Sequence, residues 1–125
     1  MSLGEFAKVS SVKFIQLTTT GRRTGKPHLV ELWFAFKYGK VYLSHEGMET
    51  DWMKNIKKHH EVSFEIGGIR LTGKGRSLTD GTSETWIGKV ALYEKYYGKA
   101  AKAVIADWFS LSKLIVIEEL AELIR

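Results

Sequence analysis

Short apolar runs with strand-like spacing, separated by glycine-containing turns, recur along most of this chain and constrain its fold more than any other feature. Residues 12–20 (VKFIQLTTT) end in a β-branched threonine run, and residues 28–37 (HLVELWFAFK) are apolar on one face and nearly so on the other. The turn at 38–40 (YGK) then predicts a hairpin that returns the chain in a third strand from Val41. We therefore expect antiparallel strands, the second of them buried on one side and half-covered on the other.

The rest of the chain alternates between helical and strand spacing. Trp52 and Ile56 lie four residues apart in a short predicted helix, and Gly67-Gly68 joins two further strands. After Asp80 a stripe of aromatic and apolar residues at helical spacing continues to Gly98, which we expect to interrupt it. The remaining predicted elements are a helix within 46–60, strands at 62–66 and 69–75, helical pieces at 80–98 and 99–108, a strand at 113–117 and an amphipathic tail at 118–125.

This order of elements predicts the fold class. Six strands in hairpins, with helices inserted between them, favour a mainly β fold with helices, built as a six-stranded antiparallel barrel rather than a parallel sheet with crossover helices. A chain of 125 residues is long enough for one core, so we expect a single domain over residues 1–125.

Composition and charge exclude several classes of protein. The chain has no cysteine, which excludes disulfides, thiolate zinc sites and a cysteine nucleophile. No stretch approaches the roughly 18 apolar residues that a membrane helix needs, and residues 1–10 do not resemble a secretory signal, so we expect a cytoplasmic protein. The net charge of +5 favours an anionic partner: a nucleic acid, a phosphorylated small molecule or an anionic cofactor.

The segment TTTGRRTGKPH, residues 18–28, is the strongest candidate for a binding site. Two glycines bracket Arg22, Arg23 and Thr24, so the backbone can turn tightly and offer its N–H groups while the guanidinium groups and Lys26 converge. It is not a Walker phosphate-binding loop, because its spacing differs and a strand follows it. From these residues alone, an anion-binding loop and a solvated basic hairpin are equally good interpretations.

A second candidate segment follows the third strand. If that strand lies beside the second, its end is near the arginine loop, and Ser44 and Gly47 would offer a hydroxyl and a backbone N–H to the same pocket. Trp52, in the next helix, is by its spacing more often a core residue than a ligand contact.

Histidines and tyrosines carry weaker signals. His45, His59 and His60 have no acidic or histidine partner at a diagnostic spacing, so we expect no metal site. Tyr93 and Tyr96 lie on one helix face or on adjacent faces and could donate protons at a pocket, although their spacing favours a packing role.

With these segments in place, the sequence resembles the deazaflavin-dependent nitroreductases, a family of flavin-binding split β-barrel proteins. The resemblance rests on TTTGRRTGKPH, on the aromatic strand and the strand ending in serine that follow it, and on the W-x-x-N pattern Trp52-Met53-Lys54-Asn55. It implies a split barrel of the FMN-binding type that binds coenzyme F420 or FMN, with the first loop on the cofactor phosphate. The residues matching the family's cofactor-binding positions are Arg22, Arg23, Thr24, Lys26, His28, Ser44, His45, Gly47, Trp52 and Asn55.

The same resemblance implies an activity and partners. The bound coenzyme would pass a hydride to a small electron-poor acceptor such as a quinone or a nitro compound, with Tyr93 and Tyr96 matching the tyrosines that line the substrate side. Proteins of this kind are often dimers, and the apolar segment 33–36 offers surface for a homodimer.

A different class of function stays open as the alternative: a non-catalytic flavin carrier or a small basic barrel for nucleic acid. A nucleic-acid barrel should expose aromatic residues among lysines and arginines, whereas Trp33, Phe34 and Phe36 are predicted to be buried, so we expect no nucleic-acid partner. We also predict that Arg22 and Arg23 are exposed loop residues whose joint replacement by alanine leaves the melting temperature nearly unchanged.

Overall fold

A computed structural model describes residues 8–98 and 111–123 of the chain. In these two ranges it contains seven strands and, after a short helical segment at 8–10, two complete helices. The strands are β1 Ile15–Thr20, β2 Pro27–Leu32, β3 Phe34–Lys37, β4 Lys40–Glu46, β5 Glu61–Ile66, β6 Ile69–Ser77 and β7 Ser112–Glu122, and the helices are α1 Asp51–Lys58 and α2 Ser83–Tyr96.

All seven strands form one antiparallel sheet in the order β2-β1-β5-β6-β7-β4-β3. Strands β2 and β3 lie at opposite edges of this order, yet only Trp33 separates them along the chain. A flat sheet cannot bring its two edges within one residue of each other, so this sheet curls back on itself. The mainly β, antiparallel fold class is confirmed, and the curled sheet is consistent with a split barrel.

The prediction of six strands was wrong by one, because the expected second strand breaks at Trp33. Its first half pairs with β1 and its second half pairs with β4. No glycine or proline marks the break, which comes from the closure of the sheet rather than from local turn chemistry. The first half is also more exposed than its alternation predicts: Leu29 is 71% exposed on the edge strand β2.

The two helices pack on opposite faces of the sheet. Along β7, Ile115 and Ile117 point into the core that holds α1, whereas Leu114 and Val116 point into the cluster that holds α2. This alternation is the period of two expected of a strand covered on both sides. The core on the α1 side contains the fully buried residues Ile15, Leu17, Phe34, Val41, Leu43, Ile56, Ile66, Ile115 and Ile117.

Most of the other predicted elements are confirmed. The hairpins at Tyr38-Gly39 and Gly67-Gly68 form, the short helix within 46–60 forms at Asp51–Lys58, and α2 ends at Tyr96, just before Gly98. Strand β7 continues to Glu122, so most of the expected amphipathic tail is strand. The helical piece predicted at 99–108 lies outside the described residues. No helix of the described ranges is long and apolar enough to cross a membrane.

Candidate functional site

A tight turn joins β1 to β2 and carries most of the predicted binding residues. The N–H of Gly21 donates to the carbonyl oxygen of Lys26 at 2.8 Å, and the N–H of Gly25 donates to that of Gly21 at 2.9 Å. The N–H of Lys26 also donates to the hydroxyl oxygen of Thr24. Gly25 has a φ of +71°, which a residue with a side chain adopts only with strain. The glycines therefore have the predicted role of closing this turn.

Gly21 lies directly beneath two of the predicted ligand side chains. A Cβ at this position would stand 2.8 Å from both the Nε2 of His28 and the Oγ1 of Thr24. Only a residue without a side chain allows the imidazole and the hydroxyl to approach the backbone this closely. The turn thus holds His28 and Thr24 together on one side of the loop.

A buried amide connects this turn to helix α1. The Oδ1 of Asn55 accepts from the backbone N–H of Arg22 at 3.1 Å and from its Nη1 at 2.9 Å. The Nδ2 of Asn55 donates to the hydroxyl oxygen of Thr19 on β1. Asn55 is 2% exposed, and a buried amide with these three partners fixes the loop, the helix and the strand relative to one another.

The structure corrects the expectation that Arg22 is a free loop residue. Its side chain is only 25% exposed, and its Nη2 lies 3.1 Å from the Oδ1 of Asp51 at the start of α1. Arg23, in contrast, is exposed and makes no hydrogen bond or ion pair with any residue of the described ranges. The two neighbouring arginines therefore differ in role: Arg22 ties the loop to α1, and Arg23 reaches into solvent.

A cleft of about 280 Å³ opens between the turn and α1. Two guanidinium groups, an imidazole and a hydroxyl face it, and Asp51 is the acidic residue that lines it. Such a donor set suits an oxyanion such as a phosphate, which accepts bonds from arginine forks and backbone N–H groups. The lining residues are Gly21, Arg22, Arg23, Thr24, His28, Asp51 and Asn55.

The structure brings together only part of the predicted set. Ser44, His45 and Gly47 do not line this cleft: Ser44 and His45 lie opposite Leu114 and Lys113 on β7, and the N–H of Gly47 donates to the carbonyl oxygen of Leu111. The geometric argument that placed them beside the loop was wrong, because β4 pairs with β3 and not with the half of the strand that starts at the loop.

Two further predicted residues contribute differently. Lys26 takes part through its backbone, which closes the turn, while its side chain is exposed outside the cleft lining. Trp52 is 6% exposed and packs in the core on the α1 side, as its spacing indicates.

The tyrosines lie on the other face of the sheet, on α2. Tyr93 is 8% exposed and packs in the α2 cluster, stacked on Tyr97. The hydroxyl of Tyr96 accepts from the backbone N–H of Phe34 at 2.9 Å and donates to the carbonyl oxygen of Lys13 at 2.7 Å. Its ring stacks on Trp33, with centroids 4.2 Å apart and planes 3° apart. Tyr96 therefore holds the corner at which the sheet passes from one edge to the other.

Lys95 is the most perturbed cation of this region. Its Nζ is shielded from solvent, lies 3.4 Å from the centre of the Phe34 ring and has no hydrogen-bond partner in the described residues. Burial lowers the pKa of Lys95 to about 8, since the charged form loses its hydration. Burial likewise raises the pKa of Tyr96 above its ordinary value, against a lowering by the Phe34 backbone bond.

A larger cleft, of about 470 Å³, lies along β1, β5 and β6 on the face opposite the core that holds α1. Its walls carry several hydroxyls, including those of Thr18, Ser63 and Thr72, and it reaches Gly25 and Pro27 of the turn. In the described residues no group of three or more histidine, aspartate or glutamate side chains is arranged to hold a metal ion.

Comparison with known proteins supports one family. The model of the family described as F420H(2)-dependent quinone reductase matches residues 4–106. Among solved structures, a conserved hypothetical protein from Mycobacterium tuberculosis is similar with a TM-score of 0.73 and 16% identity, covering 98% of this chain and 84% of that one. An F420-H2 dependent reductase has a TM-score of 0.64 and 22% identity, covering 84% and 93% of the two chains. A structure described as a domain-swapped dimer has a TM-score of 0.68 and 22% identity, covering 84% and 79%.

Proposed function

This chain belongs to the F420H(2)-dependent quinone reductase family, and from that membership we propose that it reduces a small electron-poor acceptor, a quinone or a nitro compound. It is an oxidoreductase that uses coenzyme F420 or a flavin. We also propose which residues bind the coenzyme.

The cleft between the β1–β2 turn and α1 is the observation that carries the proposal. Its arginines supply positive charge and donors, the imidazole of His28 adds a further polar group, and the bare backbone of Gly21 leaves space for His28 and Thr24 to close over the turn. These residues fit the phosphate of the coenzyme. When bound, the coenzyme supplies the hydride chemistry, and the chain supplies charge compensation and orientation.

The predicted binding residues would contact different parts of the coenzyme. Arg23 and Thr24 bind the phosphate from the turn, and Arg22 binds it from a position fixed by Asn55. Lys26 adds positive charge at the rim. Ser44, His45 and Gly47 stay predicted contacts to a more distant part of the coenzyme, since they lie outside the cleft.

Proton donation by a tyrosine stays a prediction, and the position of the two tyrosines limits where the acceptor could bind. Tyr93 and Tyr96 lie on α2, on the opposite face of the sheet from α1, and the hydroxyl of Tyr96 is within hydrogen-bond distance of two backbone carbonyl oxygens, those of Lys13 and Phe34.

We infer that a second copy of the chain covers part of the face of β1, β5 and β6 that lies opposite α1. Leu29 on the edge strand β2 and Leu123 just after β7 are both exposed, and both line a cleft of about 310 Å³ on that face. Exposed apolar residues around a polar sheet face favour association of two copies. Sedimentation analysis at micromolar concentration tests this inference, and a monomer at all concentrations would contradict it.

Nucleic acid is not part of the proposal. Phe34 is buried, as predicted, whereas Phe36 is only partly buried. Trp33 is more exposed than predicted, at 38%, but its ring is stacked on Tyr96. The described strands thus do not present the series of open aromatic rings on which bases stack.

Titration of the purified protein with F420 and with FMN, followed by fluorescence, tests the proposal. We expect saturable binding, and Arg23→Ala should weaken it about tenfold or more, the value of one charge-assisted hydrogen bond. Because Arg23 has no partner in the described part of the chain, the unfolding midpoint of Arg23→Ala should equal that of the wild type. The double variant Lys13→Ala/Lys37→Ala, which removes two exposed cations elsewhere, is the control. Absence of saturable binding of both coenzymes to the wild type would refute the proposal.

A further inference from the structure

Strands β5 and β6 carry opposite charges on the sheet face that lies opposite α1. Val62 and Phe64 of β5 are buried in the core on the α1 side, so the residues that alternate with them point to the other face. Leu71 divides β6 in the same way. The outward residues are Glu61, Ser63 and Glu65 on β5 and Arg70, Thr72 and Lys74 on β6. One strand therefore presents two acids and its neighbour presents two bases.

These charges are aligned by the strand register but are hardly used within the chain. Glu61 lies opposite Lys74, and Glu65 lies opposite Arg70. Even so, the side chains of Glu61, Glu65 and Arg70 make no ion pair with any residue of the described ranges. Lys74 has one such contact, 3.8 Å from Glu119, in which both side chains are more than half exposed. An exposed pair of this kind exchanges at little cost, so all four charges are available to a partner.

A second copy of the same face matches this pattern of charges. If a two-fold axis runs parallel to the strands between β5 and β6, β5 of each copy lies over β6 of the other at the same level along the strands. Glu61 of one copy then lies over Lys74 of the other, and Glu65 lies over Arg70. A two-fold axis across the strands would instead stack β5 on β5 and bring Glu61 over Glu65. Charge complementarity therefore favours the first arrangement over the second.

The rest of this face also suits the packing of one sheet on another. Thr18, Ser63 and Thr72 lie opposite one another on β1, β5 and β6 and form a row of small side chains across the middle of the face. No bulky residue of this row keeps the two sheets apart. Leu29 and Leu123 add exposed apolar surface beside it. The face thus combines a small polar centre with charged and apolar groups around it.

We propose that the acids of β5 and the bases of β6 select a second copy of this chain as the partner of this face. Glu61 of each copy pairs with Lys74 of the other, and Glu65 pairs with Arg70, so each contact occurs twice. The proposal rests on the association of two copies inferred above and names the residues that determine it. An exposed ion pair contributes about twofold to fivefold to a dissociation constant, and like charges cost a similar factor. Reversing the charges of one strand should therefore weaken association by about 100-fold or more.

Sedimentation equilibrium of charge-reversal variants of the full chain tests the proposal. Glu61→Lys/Glu65→Arg gives both strands basic residues, and Arg70→Glu/Lys74→Glu gives both strands acidic residues. We expect the dissociation constant of each variant alone to rise by about 100-fold or more, and an equimolar mixture of the two to associate again. The control reverses two exposed acids elsewhere and should associate like the wild type. It is Glu46→Lys/Glu94→Lys, on β4 and α2.

A variant with all four substitutions tests the arrangement without changing the balance of charges. It keeps an acid opposite a base on the neighbouring strands, so the cross-strand pairs of its own sheet are preserved. We expect it to form dimers with itself and, when mixed with a tagged wild type, to form no mixed dimers, because acids would then face acids. Mixed dimers, or dissociation constants unchanged by either charge reversal, would overturn the inference.

The same measurements separate this inference from those on which it rests. A wild type that is monomeric at all concentrations would refute both the association and its proposed cause. Binding of the coenzyme to the wild type, measured by fluorescence titration, tests the proposed oxidoreductase function independently of either result.

Discussion

In two regions of this protein, a side chain accepts a hydrogen bond from the backbone of a distant segment, and the two regions differ in the groups that they expose to solvent. At the β1–β2 turn, the side chain of Asn55 accepts a backbone N–H of a distant segment, that of Arg22. At the Trp33 corner, the hydroxyl of Tyr96 does the same for Phe34. Around Asn55 the fixed loop presents charged donors to a cleft that is open to solvent. Around Tyr96, in contrast, aromatic rings pack on one another. A buried polar side chain that holds a distant segment occurs at both places, and the exposed charged donors are found at the β1–β2 turn, which is why we propose the binding site there.

The largest expected effect on stability comes from removing the side-chain amide of Asn55. Asn55→Ala leaves the N–H of Arg22 and the hydroxyl of the buried Thr19 without their partner, and we expect a loss of about 2–4 kcal/mol in the free energy of unfolding. FMN or F420 binding should weaken as well, because Arg22 loses its orientation. Urea denaturation and fluorescence titration measure the two effects.

The only other side-chain amide of the chain provides the control. Gln16 makes an exposed bond to Glu31, so Gln16→Ala should cost less than about 0.5 kcal/mol. Equal costs for the two alanine variants would contradict the role of Asn55.

A smaller effect is expected at the corner. Tyr96→Phe keeps the ring on Trp33 but removes the hydroxyl that bonds Phe34 and Lys13, which should cost about 1–2 kcal/mol in the free energy of unfolding. Tyr38→Phe, which alters an exposed side chain, is the matched control and should have no measurable effect.

The same variant separates the two roles considered for Tyr96. If it holds the corner, stability falls and the affinity for the coenzyme does not change. A fall in the turnover rate at unchanged stability would instead support proton donation by this hydroxyl.

The smallest effect is a pH dependence on the α2 side. The pKa of Lys95 is lowered by burial from its ordinary 10.5 to about 8, so the unfolded chain binds more protons than the folded chain between these values. The contribution of Lys95 to stability therefore rises as the pH increases from 8 towards 10.5. The urea midpoint should increase between pH 7.5 and pH 9.5 in the wild type, by a greater amount than in Lys95→Met. An identical pH dependence in the two proteins would show that Lys95 does not titrate in this window.

Local patterns in the sequence predicted most of the fold. Alternating apolar residues identified the strands, and Gly67-Gly68 and Tyr38-Gly39 identified the hairpins, because these signals act over a few residues. The break at Trp33 had no such signal. It is imposed by pairing partners that are far apart in the chain: Leu32 faces Ile15, and Phe34 faces Leu43.

The candidate site likewise combines local features, which the sequence shows, with long-range contacts, which it does not. The turn-forming glycines and the cluster of cations around Arg22 are local, and the prediction of a loop suited to an anion follows from them. The bonds that fix Arg22 come from Asp51 and Asn55, about thirty residues further along the chain, and depend on how α1 packs. Asn55 was matched through the family pattern as a cofactor contact, and the structure adds that its side-chain amide bonds Arg22 and Thr19. Asp51 was missed as a site residue because an acid in the first turn of a helix is ordinary.

The single-residue corner also fixes the permitted length of the segment that crosses it. In a strand, side chains alternate between the two faces, so one residue added next to Trp33 that shifted β3 by one position along β4 would turn Phe34 out of the core on the α1 side and Ala35 into it. Insertions and deletions should therefore be tolerated at the Tyr38-Gly39 hairpin, where neither face is buried, and excluded at Trp33. Among related sequences, the distance from the arginine turn to this aromatic corner should vary less than the lengths of the other connections.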